Sequence, residues 1–102
     1  MIIVLTSQNK KHITAHAGKC RKFWRYEITN NQVVTQQLIE VAKEDSFSQS
    51  GAVLEQLMPM DLFVSSGMGD GLKNRMQAFD VAVQLTEMVE VDVFIQNFCQ
   101  QE

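Results

Sequence analysis

The sequence predicts a single α/β domain, a mixed five-stranded sheet flanked by helices, with elements in the order β-β-β-α-β-α-β-α. Three observations carry that prediction. Residues 22–41 alternate around an Asn30-Asn31 pair, as an antiparallel hairpin does. Two short apolar runs, 61–66 and 80–85, are each followed by apolar residues at helical spacing, the rhythm of βαβ units. The opening run Ile2-Ile3-Val4-Leu5 has no polar face, which suits a strand covered on both sides. A length of 102 residues is enough for one domain with a real core and no staples.

Each element follows from local chemistry. Residues 2–6 are β-branched or apolar and form the first strand, and the polar stretch Ser7 to Lys11 is a loop. In residues 22–28, Trp24, Tyr26 and Ile28 share one face, and Phe23, Arg25 and Glu27 the other. Asparagine tolerates positive φ, so Asn30-Asn31 supplies the turn. The partner strand, 32–41, is expected to place Val33, Thr35, Ile39 and Val41 on one side. Ser46 to Ser50 offers cap-forming residues, and Val53, Leu54, Leu57 and Met58 mark a helix that Pro59 closes. Asp61 to Ser66 reads as a buried strand running into Gly67-Met68-Gly69-Asp70-Gly71. Leu72, Arg75, Met76 and Phe79 mark the next helix, Asp80 to Leu85 a third buried strand, and Met88, Val91, Phe94, Ile95 and Phe98 the stripe of a last helix.

Composition narrows the function classes. Hydrophobic residues make up 45 % and charged residues 21 %, an ordinary globular balance that excludes wholesale disorder. The longest apolar runs are far too short to cross a membrane, and no basic segment followed by a signal-type apolar stretch opens the chain. Two cysteines, Cys20 and Cys99, make no disulfide framework, so a cytoplasmic protein with free thiols is expected.

The chemistry-bearing residues cluster early. His12, His16 and Cys20 are spaced four apart, among Lys10, Lys11, Lys19, Arg21, Lys22 and Arg25. Those are six of the nine basic residues, with no acid among residues 10–25, in a chain of net charge −3. Borderline and soft ligands inside a positive patch suit an anionic, metal-containing ligand. The plainer alternative has surface histidines, a core cysteine and a solvated basic face. The glycines at 67, 69 and 71 lie between a strand end and a helix start, where backbone N–H groups face outward ahead of the positive end of a helix dipole. A tight turn that binds nothing is the alternative there. Neither the dinucleotide fingerprint nor a nucleoside-triphosphate loop is present, so a nucleotide cofactor is disfavoured. Met68 places a thioether in the loop that either meets a soft ligand or packs on the next helix.

Together these segments resemble a known family. The stretch Ala15-His16-Ala17-Gly18-Lys19-Cys20-Arg21-Lys22-Phe23-Trp24-Arg25-Tyr26-Glu27-Ile28 is similar to the His-Phe-Gly-Arg region and following strand of the dinitrogenase iron–molybdenum cofactor biosynthesis family, the NifX-type domains. Leu62 to Leu72 looks like that family's strand, glycine loop and helix, and the similarity runs over almost the whole chain as one domain, 1–102. The resemblance implies a ribonuclease H-like fold without that enzyme's activity. It also implies a non-catalytic protein that binds or carries iron–sulfur or molybdenum–iron–sulfur clusters during cofactor assembly, with cofactor-assembly or acceptor proteins as partners. His16 and Gly18 match the family's His-x-Gly, Lys19 stands where an arginine is usual, and Gly67 and Gly69 match the glycine loop. Ala17 replaces the usual aromatic, and Ser66 the first glycine of the usual pair.

The expected cluster or anion site is therefore His16, Gly18, Lys19, Arg21, Gly67, Met68, Gly69 and Gly71. His16 is its metal ligand, with Cys20 and then His12 as further candidates on chemical grounds. A permanent cluster takes about four thiolates, so two cysteines favour loose, transferable binding. An enzyme would pair His16 with Asp70, but no nucleophile motif accompanies them. A two-metal nuclease needs acidic residues on the central strands, and residues 2–6 have none. Zinc would need His12, His16 and Cys20 gathered, whereas residues four apart on a strand spread by roughly 13 Å. Nucleic-acid stacking on Phe23, Trp24 and Tyr26 conflicts with their half-buried pattern. A protein-interaction module with no metal ligand remains the alternative function.

Overall fold

The computed structural model describes residues 1–100 and places the eight elements in the expected order. They are β1 (Ile2–Thr6), β2 (Lys22–Thr29), β3 (Gln32–Glu40), α1 (Val53–Leu57), β4 (Leu62–Ser65), α2 (Asp70–Ala78), β5 (Ala82–Leu85) and α3 (Val91–Cys99). Two short 3-10 turns, Ala17–Lys19 and Lys43–Asp45, lie in the connections. The sheet order is β3-β2-β1-β4-β5. β1 runs antiparallel to β2 and parallel to β4, β2 is antiparallel to β3, and β4 is parallel to β5. The run without a polar face thus becomes the central strand, where both faces are covered.

Strand alternation divides the core in two. Val4, Phe23, Ile39 and Phe63 point to one face, where Val53, Leu54 and Leu57 of α1 and Met76 of α2 meet them. Ile3, Leu5, Tyr26, Ile28, Leu62 and Val64 point to the other, under Val91 and Ile95 of α3 and Ile13 of the first loop. On the first face Phe47 meets Phe23 and Phe63 edge-on, with ring centroids 6.1 and 5.9 Å away. No helix among the described residues is long and apolar enough to cross a membrane.

Four local expectations are corrected. β5 is not a buried strand: Ala82, Gln84 and Leu85 are exposed, because it is a sheet edge paired only with β4. α3 begins at Val91, and Met88 is exposed in the loop before it. That loop is held extended by Ile13 N–H to the Val89 carbonyl (2.8 Å) and Val91 N–H to the Lys11 carbonyl (2.9 Å), so residues 89–91 cannot continue a helix backwards. Phe79 lies past the last turn of α2 and is exposed. In β3, Val33 pairs with Ile28 and Thr35 with Glu27, so Val34 is an extra residue at a β-bulge. Val33 and Thr35 therefore face opposite sides.

Candidate functional site

β1 and β4 are parallel neighbours, so the loops leaving their C-terminal ends emerge side by side. Open α/β sheets place ligands at this end of the strands. Backbone bonds join the two loops: Ser66 N–H to the Thr14 carbonyl (3.1 Å) and Ala17 N–H to the Gly67 carbonyl (3.0 Å). A buried hydroxyl cluster lies beneath them. Thr6 Oγ1 is 2.7 Å from the Thr14 carbonyl and 3.0 Å from Ser65 Oγ. Ser65 Oγ in turn lies 3.1 Å from the Thr14 carbonyl, 3.0 Å from the Gly67 carbonyl, and accepts from Gly67 N–H at 3.2 Å. Ser65→Ala is expected to cost about 1–3 kcal/mol, because buried partners lose their bond. A lower urea midpoint at unchanged slope is the result to look for.

A Cβ at Gly67 would stand 3.2 Å from Ala15 Cβ, so glycine lets the loops approach this closely. His16 follows at φ 59°, ψ 51°, a left-handed conformation rare for a residue with a side chain. The exposed His16 side chain stands between two cavities. One, about 330 Å³, is lined by Gln8, Thr14, Ala15, His16, Lys19, Cys20 and Met88. The other, about 230 Å³, is lined by Ala15, His16, Ala17, Gly18, Gly67, Met68 and Gly69. Gly69 caps α2, so the helix's unpaired amides open on this side.

The structure thus brings His16, Gly18, Gly67, Met68 and Gly69 to one cavity, and His16, Lys19 and Cys20 to the other. Gly71 lines an adjoining hollow with Gly18, Gly69 and Arg75. Arg21 lines neither His16 cavity and faces Lys43 instead. His12 is also set apart: it lies beside Glu90 through a backbone bridge, and its Nδ1 is 3.4 Å from Asn9 Nδ2. Among the described residues no three His, Cys, Asp or Glu side chains gather to hold a metal ion. The closed His12–His16–Cys20 zinc arrangement is therefore not formed. Asp70 lines neither cavity, and the Asp61 carboxylate accepts the Ile2 amide at 2.7 Å. Phe23 and Tyr26 are core on opposite faces of the sheet, and Trp24 packs beside Tyr26 with its Nε1–H on the Lys10 carbonyl at 3.0 Å, so these rings do not form a stacking platform.

Cys20 is a buried thiol rather than an open ligand. It is 3 % exposed and its Sγ donates to the Lys22 carbonyl at 3.0 Å. Burial pushes its pKa up, so the thiol stays protonated at neutral pH. Tyr26 behaves alike: burial first, then the Asp92 carboxylate, push its phenol up to about 12. Both groups hold protons more tightly folded than unfolded. Their stabilisation is complete below the ordinary values of 9.0 and 10.0 and is lost as pH rises through the folded values. The urea midpoint is expected to fall steadily above about pH 9, and Tyr26→Phe should flatten the part above about pH 10.

Gln8, Thr14 and Met88 are cavity residues that sequence spacing did not single out. They arrive from separate segments, and only the loop pairing brings them to His16.

Several solved structures share the fold. PH0822 superimposes with a TM-score of 0.81 at 16 % identity, covering 97 % of this chain and 88 % of that one. The mj0327 protein of Methanocaldococcus jannaschii, provisionally named a dinitrogenase, gives 0.74 at 15 %, covering 98 % and 88 %. A Thermotoga protein, TM1290, provisionally named a NifB protein and assigned to the DUF35 family, gives 0.73 at 16 %, covering 95 % and 85 %. At these identities the likeness shows the fold alone. No curated protein matches the chain. The profile of the dinitrogenase iron–molybdenum cofactor family matches residues 1–101. The chain belongs to that family.

Proposed function

We propose that this protein is a non-catalytic carrier that binds an iron–sulfur or molybdenum–iron–sulfur cluster transiently and passes it between cofactor-assembly proteins. Family membership supports a role in iron–molybdenum cofactor biosynthesis. The observation that carries the finer reading is His16: an exposed imidazole, on a residue held at positive φ, shared by two cavities beyond the C-terminal ends of β1 and β4. The cluster is cargo, and the donor set fits loose holding. His16 supplies an exchangeable nitrogen, Lys19 a cation, and the Met68 and Gly69 amides backbone donors toward the anionic sulfides, the Gly67 N–H being held by Ser65 Oγ. Met68 and Met88 put thioethers on the cavity walls, and Cys20 adds a thiolate only once its proton leaves.

Anaerobic incubation of the apo-protein with iron and sulfide, and separately with thiomolybdate, tests this. Stoichiometric metal surviving desalting is the expected result, and the retained metal names the cluster class. Retention of none would overturn the carrier reading and leave a protein-interaction module with the same fold.

A further inference from the structure

We propose a second anion site on this protein, a pocket that takes a small multivalent oxyanion of the phosphate or polycarboxylate kind. It lies between the Ala17–Lys19 and Lys43–Asp45 turns and is lined by Lys19, Arg21, Lys43, Ser46, Ser48 and Gln49. At about 460 Å³ it is roomier than either cavity at His16, and it shares only Lys19 with the larger of those. Its lining holds three cations and no carboxylate, in a chain whose net charge is −3, and Glu44 and Asp45 of the bounding turn are not among the lining residues. Positive charge gathered in a concave site of an otherwise acidic protein focuses the field on small anions.

The walls are fixed by the fold. Val41 N–H donates to the Arg21 carbonyl at 2.9 Å and Ser48 N–H to the Gly18 carbonyl at 2.8 Å, which ties the two turns together. Arg21 is positioned twice: its N–H donates to Gln8 Oε1 at 2.9 Å, and its Nε to the Val41 carbonyl at 3.1 Å. The second bond holds the guanidinium plane, and a fixed guanidinium is the group that grips phosphate and carboxylate best. Lys19 and Lys43 bring mobile charge from the two turns, and Ser48 and Gln49 add neutral donors.

The test titrates the isotope-labelled apo-protein with sodium pyrophosphate, and in a second arm with sodium citrate, at ionic strength held constant with sodium chloride. Saturable amide shifts centred on Arg21, Lys43, Ser48 and Gln49 are expected in at least one arm, and the tighter arm names the ligand class. Lys43→Gln and Arg21→Gln should each weaken binding about tenfold, while Lys73→Gln on α2 should leave it within about twofold. Lys43 is exposed on its turn, so its substitution keeps the test independent of folding. Shifts that never saturate in either arm, or that saturate equally in both pocket variants, would overturn the proposal.

Discussion

His16→Ala is expected to lower cluster retention at least about tenfold, the scale on which even outer-shell partners of metal ligands act, while leaving the urea midpoint nearly unchanged. The imidazole is exposed, so its removal opens no core cavity. The backbone strain of the left-handed position remains, because alanine also carries a Cβ. His16→Gly separates ligand from scaffold more sharply. Glycine adopts φ 59° without penalty, so this variant should gain roughly 1 kcal/mol of stability and still fail to hold a cluster. Measured metal per protein after desalting, beside urea unfolding of all three proteins, checks both halves. A His16→Gly protein that is more stable and binds as wild type would show that the residue is only a turn former.

The largest stability effect is expected at Phe23. Its ring is fully buried between Phe47 and Phe63 on the face that α1 and α2 cover. Phe23→Ala should cost about 3–5 kcal/mol, since it removes buried area and leaves a void between rings that cannot fully collapse. Against a total of roughly 5–15 kcal/mol for a domain this size, much of the protein would be near unfolding at 37 °C. Phe79→Ala is the contrast: that ring is 52 % exposed beyond the end of α2, and the change should stay within about 0.5 kcal/mol. A urea midpoint for Phe79→Ala as low as that for Phe23→Ala would contradict this packing.

Elements whose burial follows from their own residues were legible in the sequence. Ile2 to Leu5 has no polar face, which suits a strand covered on both sides, and it became β1 at the centre of the sheet. The Asn30-Asn31 pair supports positive φ at both positions, 54° and 62°, and the hairpin formed around it. The glycine loop is legible as a place for a ligand's edge or for a positive-φ turn, whereas Gly67 has no positive φ and instead lets the Ala15 loop come to 3.2 Å from where a Cβ would stand. What could not be read depends on neighbours distant in sequence. Residues 80–85 are apolar enough for a central strand, yet nothing pairs beyond them, and that is decided by topology. Val34 is an ordinary strand residue whose bulge arises from register with β2. Met88 fits a helical stripe, but pairing of residues 89–91 with the first loop overrides the periodicity and sets it over the His16 cavity.

For the candidate site, the segment order pointed to His16, Gly18, Gly67, Met68 and Gly69, which share a cavity. Arg21 joins them in the sequence on its charge and His12 on its imidazole, and neither lines that cavity. Arg21 follows the Ala17–Lys19 turn and lines the pocket with Lys43, whereas His12 precedes that turn and is drawn to Glu90 by a backbone bridge, so proximity along the chain says little about which cavity a side chain lines.

The measurement that bears most directly on the carrier role is pulsed EPR of the reduced, cluster-loaded protein with its histidines labelled with ¹⁵N. The chain has only two histidines, so the signal is easily assigned. A ¹⁵N hyperfine coupling in the loaded wild-type protein that persists in His12→Ala is the expected result, and with only two histidines it assigns the ligand to His16. A loaded wild-type protein with no histidine coupling, or a coupling lost only in His12→Ala, would contradict His16 as the cluster ligand.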